Sequence, residues 1–268
     1  MTEREKPSKG ERTDASGHES LVRVARPRSV PRVLKRSKAS GASTGSPPDE
    51  WLEWFDFLER EMIDLCLVRD IYADIRRMIV RNPEIQKPSI FYSWMLALYF
   101  TRAVICIARL VDDKKTTKSF LRLLRRIEKQ PHLVSRTQFV AAYISSEGMS
   151  SIPKGDVERI ANKEFDEWAG KGVTCIQQAD VERDIDDLLR RAKPVTTHRH
   201  ERVAHLDRNP SKQLAGLGDL DRAIEKLAEL FSKYSILLRR QSCDLFPSIQ
   251  DDWKAIFRVP WEAPSKGT

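Results

Sequence analysis

From Trp51 onward the apolar residues of the chain follow helical periods, and no segment alternates as a strand would. Trp51, Leu58, Leu65, Tyr72 and Ile79 recur every seven residues, with Phe55 and Met62 beside them and Glu, Asp and Arg on the other face. This predicts an amphipathic helix of about eight turns. Asp49, following Pro47-Pro48, serves as its cap, and Asn82-Pro83 ends it. A second helix, from about Ser89 to Asp112, is apolar nearly all round through Ile90, Phe91, Trp94, Leu96, Leu98, Phe100 and Val104, the mark of the central helix of a bundle. A shorter helix carries Phe120, Leu123, Leu124 and Ile127 and stops before Pro131. Gln138 to Ile144 and Val157 to Trp168 read as lesser helices around a loop at Ser145–Gly155.

Asp180 to Arg191 is a helix of mixed charge with Val181, Ile185, Leu188 and Leu189 inward. Pro194 predicts a break at Lys193 and a restart at a threonine cap. After Asn209-Pro210 and Gly216-Leu217-Gly218 comes the clearest period, Leu220, Ile224, Leu227, Phe231, Tyr234 and Leu238. Trp253, Phe257 and Trp261 beyond Pro247 are expected to fold back on the bundle. With no internal repeat, the expectation is an all-α bundle of five or more helices in one domain, residues 50–268.

Composition changes this picture at the N-terminus. Residues 1–49 are rich in Ser, Gly, Pro, Lys and Arg without apolar periodicity, which predicts a disordered basic tail. Arg23 to Lys38 holds seven basic residues and no acidic one, a segment able to attract RNA or DNA or simply to solubilise. The formal charge of +8 permits nucleic-acid binding without requiring it. Cys66, Cys106, Cys175 and Cys243 form no close pair, which reads as reduced thiols in the cytoplasm. No signal-peptide pattern opens the chain. Arg102 and Arg109 interrupt the apolar run Ile90 to Val111, so a buried helix is preferred to a membrane span, and no membrane partner is expected.

Candidate chemistry gathers in His198-Arg199-His200-Glu201-Arg202-Val203-Ala204-His205-Leu206-Asp207, which holds three of the five histidines. A metal site is one reading, but helical residues two apart point roughly 200° away from each other, which separates His198 from His200. A structural reading makes His205 a satisfied bundle histidine, with Arg199 and Arg202 bridging to acidic helices. A third reading is a metal-free phosphodiester site. There a fresh helix N-terminus receives phosphate, Arg199 grips its oxygens, and His205 moves a proton. RNA suits this, because its 2′-hydroxyl is the nucleophile.

Arg199-His200-Glu201-Arg202-Val203-Ala204-His205 resembles the R-x(4–6)-H motif of the HEPN superfamily. Ala204-His205-Leu206-Asp207 and Ala108-Arg109-Leu110-Val111-Asp112 resemble its AbiU-type branch, linked to abortive phage infection. The resemblance covers roughly Trp51 to Arg240. It implies a HEPN-like helical bundle that forms a homodimer with two motifs meeting across the interface, and in active members a metal-independent endoribonuclease acting as a toxin or effector. It makes Arg199 and His205 the catalytic pair and His200 the polar second position. His198, Arg202 and Asp207 are supporting or substrate-binding candidates. RNA is the implied substrate, an antitoxin or other regulatory protein an implied partner, and no metal or cofactor is expected. Arg109 and Asp112 read as an internal salt bridge or helix terminus. On an ideal helix, however, Arg199 and His205 lie about 120° apart, whereas His198, Arg202 and His205 share one face. The alternative, from a different class, is a non-catalytic helical module that binds nucleic acid or a protein.

Overall fold

The computed structural model describes residues 47–146, 149, 151–204, 214–245 and 252–259. Of the expected tail, residues 1–49, residues 1–46 lie outside the described residues, and its last residue, Asp49, already belongs to the first helix. The described residues are all-α, with seven α-helices and no strand; a lone antiparallel bridge joins Ser135 and Cys175.

α1 spans Asp49–Arg81. Asp49 is already helical and Pro48 holds the cap position, so Asp49 and Glu50 act on the positive end of the helix as first-turn acids. α2 is Ile90–Leu110 and α3 is Phe120–Lys129. Each opens on a serine whose hydroxyl accepts a backbone N–H, Ser89 from Phe91 and Ser119 from Arg122, both at 3.2 Å. α4, Arg136–Ile144, is capped in the same way by Ser135, and α5 is Lys154–Ala169. α6 covers Gln178–His198, and α7 covers Leu217–Arg239.

The core is built on an aromatic cluster that joins three helices. Phe55 of α1 stacks on Phe231 of α7 at 4.1 Å between ring centres, and Phe120 of α3 packs against both rings and Tyr234. Leu220, Ile224, Leu227, Phe231, Tyr234 and Leu238 are all sealed from solvent, as the period of α7 predicts. Polar anchors at the edge of this core fix the register of α7. Tyr234 and Lys233 both donate to Asp184 Oδ2 of α6, at 2.9 and 2.7 Å. Lys226 reaches Asp187 at 2.9 Å. Arg239 lies over the Phe55 ring and donates to Asp56 and, through both terminal nitrogens, to Glu59 of α1. The guanidinium holds the Glu59 carboxyl below its ordinary value, against the opposing effect of burial. A second hub, Arg136, joins α4 to α5 and the following loop through Asp166, Asn162 and the Val173 carbonyl.

Two expectations need correction. α2 is not buried all round: Tyr99, Ala103, Val104, Cys106, Ile107 and Leu110 face α1, α6 and α7, while Ile90 is 89% exposed, Trp94 56% and Leu98 52%. The N-terminal half of α2 pairs with the C-terminal half of α1, where Tyr72 stacks on Tyr99, and together they extend past the main core. α2 is long and apolar enough to cross a membrane by composition, yet one of its faces is packed into this bundle. Of the C-terminal aromatics within the described residues, Phe257 does not bury as expected. Phe257 is exposed, Trp253 is half-buried, and Trp261 lies outside the described residues. An ion pair from Lys254 to Asp74 makes the link to α1 instead.

Arg239 has only 10% of its side chain exposed and faces two carboxylates. Replacing it with Met leaves Glu59 half-buried without its cation, and an uncompensated buried charge costs about 3–5 kcal/mol. Arg239→Met should therefore lose about 3 kcal/mol in urea unfolding, whereas Arg159→Ala, which removes an exposed pair with Asp156, should lose less than about 1 kcal/mol.

Candidate functional site at the end of α6

Pro194 does not break α6. A proline inside a helix leaves the Arg190 carbonyl without its usual donor and crowds it, at a cost of about 3 kcal/mol. Ala192 and Val195, one on each side of the proline, are both buried, and this packing offsets the loss. Thr196 is no cap; its hydroxyl donates to the Lys193 carbonyl at 3.1 Å. The helix runs on to His198 and passes directly into a π-helical turn, Arg199–Ala204. Its hydrogen bonds close over five residues, so the angles of an ideal α-helix do not apply there.

This reverses one part of the sequence reading. Arg199 lies inside a continuous helical run, where α6 passes into the π turn, and not at a fresh N-terminus offering free N–H groups. Any anion held here is held by side-chain cations.

Arg199 and His200 open onto a cleft of about 500 Å³ between the π turn and the end of α2. Thr196 and Val203 line it from their own segment, and Ile105, Ala108, Arg109, Val111, Asp112, Asp113 and Lys114 line it from the other. The two stretches singled out in the sequence, about ninety residues apart, thus form opposite walls of one cleft. Arg109 and Asp112 are not paired with each other. Arg109 donates to Glu61 of α1 at 3.2 Å, and Asp112 accepts the Lys114 N–H at 3.1 Å and the Ser119 hydroxyl on its carbonyl. Arg109 therefore belongs to an ion pair across to α1, and Asp112 to a turn that follows a helix end.

His198 points elsewhere. Its ring meets Phe100 edge to face at 5.0 Å between centres, and its buried Nδ1 finds no hydrogen-bond partner among the described residues. Burial, reinforced by Arg202, pushes its pKa below the ordinary 6.5. His198 and His200 thus face different surroundings, and the metal reading, which needs both in one shell, has no support in this geometry. Arg202 is exposed and does not line the cleft. His205 and Asp207 lie outside the described residues. Lys114, Asp113 and Thr196 are cleft residues that sequence reasoning missed. The signal for the first two was their place immediately after the Ala108–Asp112 segment. A second, more open hollow of about 580 Å³ at the α1–α2 turn, lined by Val80, Lys87, Ser89 and Tyr92 among others, gathers no comparable set of charged groups.

Residues 48–256 match the model of the family HEPN_AbiU2, described as AbiU2. The chain belongs to the AbiU2 family of the HEPN superfamily. The match covers all seven helices and both walls of the cleft in this AbiU2 protein, and it makes the chain a HEPN-type protein of the abortive-infection kind. No curated protein and no solved structure matches the chain significantly.

His198 gives the AbiU2 chain a pH signature. Its folded-state pKa lies below 6.5, so its contribution to stability is complete above that value and is lost as pH falls through the lower folded value. Between pH 7 and 5 the wild type should lose more unfolding free energy than His198→Gln; identical pH profiles in urea titrations would count against a buried neutral imidazole.

Proposed function

We propose that this chain is a metal-independent endoribonuclease of HEPN type, a toxin or effector in prokaryotic defence that works in the cytoplasm. The observation that carries the reading is the cleft itself, in which Arg199 and the polar second position His200 face Arg109 and Lys114. An RNA strand supplies its own nucleophile. A base takes the 2′-hydroxyl proton, the 2′-oxygen attacks the adjacent phosphorus, and the 5′-oxygen of the next nucleotide leaves with a proton. The products are a 2′,3′-cyclic phosphate and a 5′-hydroxyl. Arg199, a planar donor with no carboxylate partner among the described residues, suits the charge that accumulates on the phosphoryl oxygens. His205, directly after the described turn in sequence, is the residue assigned the proton transfers, a role typically worth about 10²–10⁴ in rate.

The active form in this reading is a homodimer, and α2 supplies the surface. Ile90, Phe91, Trp94, Leu98 and Ile105 share one stripe, and Ile105 also lines the cleft. The stripe's flanking cations are already neutralised from α1, Arg102 by Asp64 and Arg109 by Glu61, so covering the stripe strands no charge. Because Ile105 belongs to both, a second copy laid on the stripe adjoins the cleft in this reading. An antitoxin or other regulatory protein is a further partner consistent with a toxin role.

The same stripe also favours the second reading, a non-catalytic module whose exposed α2 docks a protein or whose cleft only binds nucleic acid. Purified protein in EDTA separates the two. The ribonuclease reading expects cleavage of mixed RNA by wild type, and a loss of about a hundredfold or more in His205→Ala and Arg199→Ala with unchanged melting. Inert wild type, or a dependence on divalent metal, removes it. The binding-module reading expects His205→Ala to lower the melting temperature instead. For the dimer, Trp94→Glu with Leu98→Glu should halve the mass seen by sedimentation equilibrium; an unchanged mass would place any interface elsewhere.

A further inference from the structure

The turn after α2, Asp112-Asp113-Lys114, forms the wall of the cleft that faces Arg199 and His200. Its acidic residues differ in what they do. Asp112 is engaged in the turn, accepting the Lys114 N–H on its carboxylate and the Ser119 hydroxyl on its carbonyl. Asp113 is exposed and lines the cleft, and its carboxylate meets no cation among the described residues. The Lys114 side chain, also exposed to the cleft, meets no carboxylate among them either.

A bare carboxylate beside the path of a polyanion repels phosphate. It becomes favourable opposite hydrogen-bond donors, which RNA offers at the ribose 2′-hydroxyl and at base amino and imino groups; only the base donors differ between nucleotides, as when Asp accepts from the N4 amino group of cytosine. Neighbouring Cα atoms are about 3.8 Å apart, so a short acceptor and a long cation on one turn can meet the base edge and the phosphate of a single nucleotide. We infer that Asp113 selects a base with an exocyclic amino group, cytosine over uracil, while Lys114 holds the phosphate beside it. At position 4 cytosine offers an N4–H₂ donor where uracil offers the O4 acceptor, which an ionised carboxylate repels, so the preference follows from contact at that position; contact at the N3–H of uracil would reverse it and refute the assignment. Asp113 and Lys114 are thus substrate-reading residues of the cleft. The inference rests on the ribonuclease reading only as far as RNA binding, because it requires no cleavage.

The test uses full-length protein in EDTA with two labelled 2′-O-methyl octamers, all-cytidine and all-uridine, which lack the nucleophilic hydroxyl. Fluorescence anisotropy should show the cytidine octamer bound about tenfold more tightly. Asp113→Asn, which offers both a donor and an acceptor, should bring the two affinities within about twofold of each other. Lys114→Gln should weaken both octamers alike and reduce the slope of log K against log salt by about 0.7. Both positions are exposed, and unchanged helicity by circular dichroism confirms that each variant is folded. Equal binding of the two octamers by wild type, or discrimination that survives Asp113→Asn, refutes the base assignment. An unaltered salt slope in Lys114→Gln refutes the phosphate contact. In those cases RNA is still bound and the ribonuclease reading stands; binding of neither octamer refutes the base and phosphate assignments, while the ribonuclease reading is decided separately by the cleavage assay.

Discussion

The continuity of α6 through Pro194 is the constraint on which the site depends. The proline removes a backbone donor in the middle of a helix, and the helix persists because Ala192 and Val195 are buried beside it and α6 is held to α7 along its length. Asp184 and Asp187 anchor Lys233, Tyr234 and Lys226 on the facing helix, which fixes how far along α7 the end of α6 lies. The π turn that begins at Arg199 inherits that position. Were the chain to break at Lys193, Arg199 and His200 would not meet the end of α2, and there would be no cleft with two charged walls.

Electrostatics in the cleft follow from the same fact. With no fresh helix N-terminus at Arg199, phosphate depends on Arg199, Lys114 and the partly neutralised Arg109. The acidic side chains on the α2 wall lower the general attraction of the cleft for anions, which favours a ligand with donors as well as phosphates. His198, held neutral against Phe100, stays out of this balance and acts as part of the packing that seats the π turn on α2.

Much of the fold was legible in the sequence, because burial of one apolar face dictates the period. α7 is the clearest example, every residue of its predicted stripe being sealed. α1, α3 and the extent of α2 follow their periods and serine or proline punctuation in the same way. What periodicity could not tell is how many faces of an apolar helix find a neighbour. α2 reads as central because it is apolar all round, yet its N-terminal half extends beyond the core and leaves Ile90, Trp94 and Leu98 in solvent. Phe257 was misread for the same reason, since hydrophobic character states a preference for burial without naming a partner.

At the site, the sequence by itself determined which residues carry charge and imidazole and that two separate stretches belong to one family pattern. Only the tertiary structure decided that Arg199 and His200 face Arg109, Asp113 and Lys114, that His198 turns to Phe100, and that Arg109 pairs with Glu61. The physical reason is that local rules assign Pro194 its ordinary cost without the burial that offsets it. Packing energy from residues far away in the chain overrides a local helix breaker, and with it the direction in which the helix presents its end.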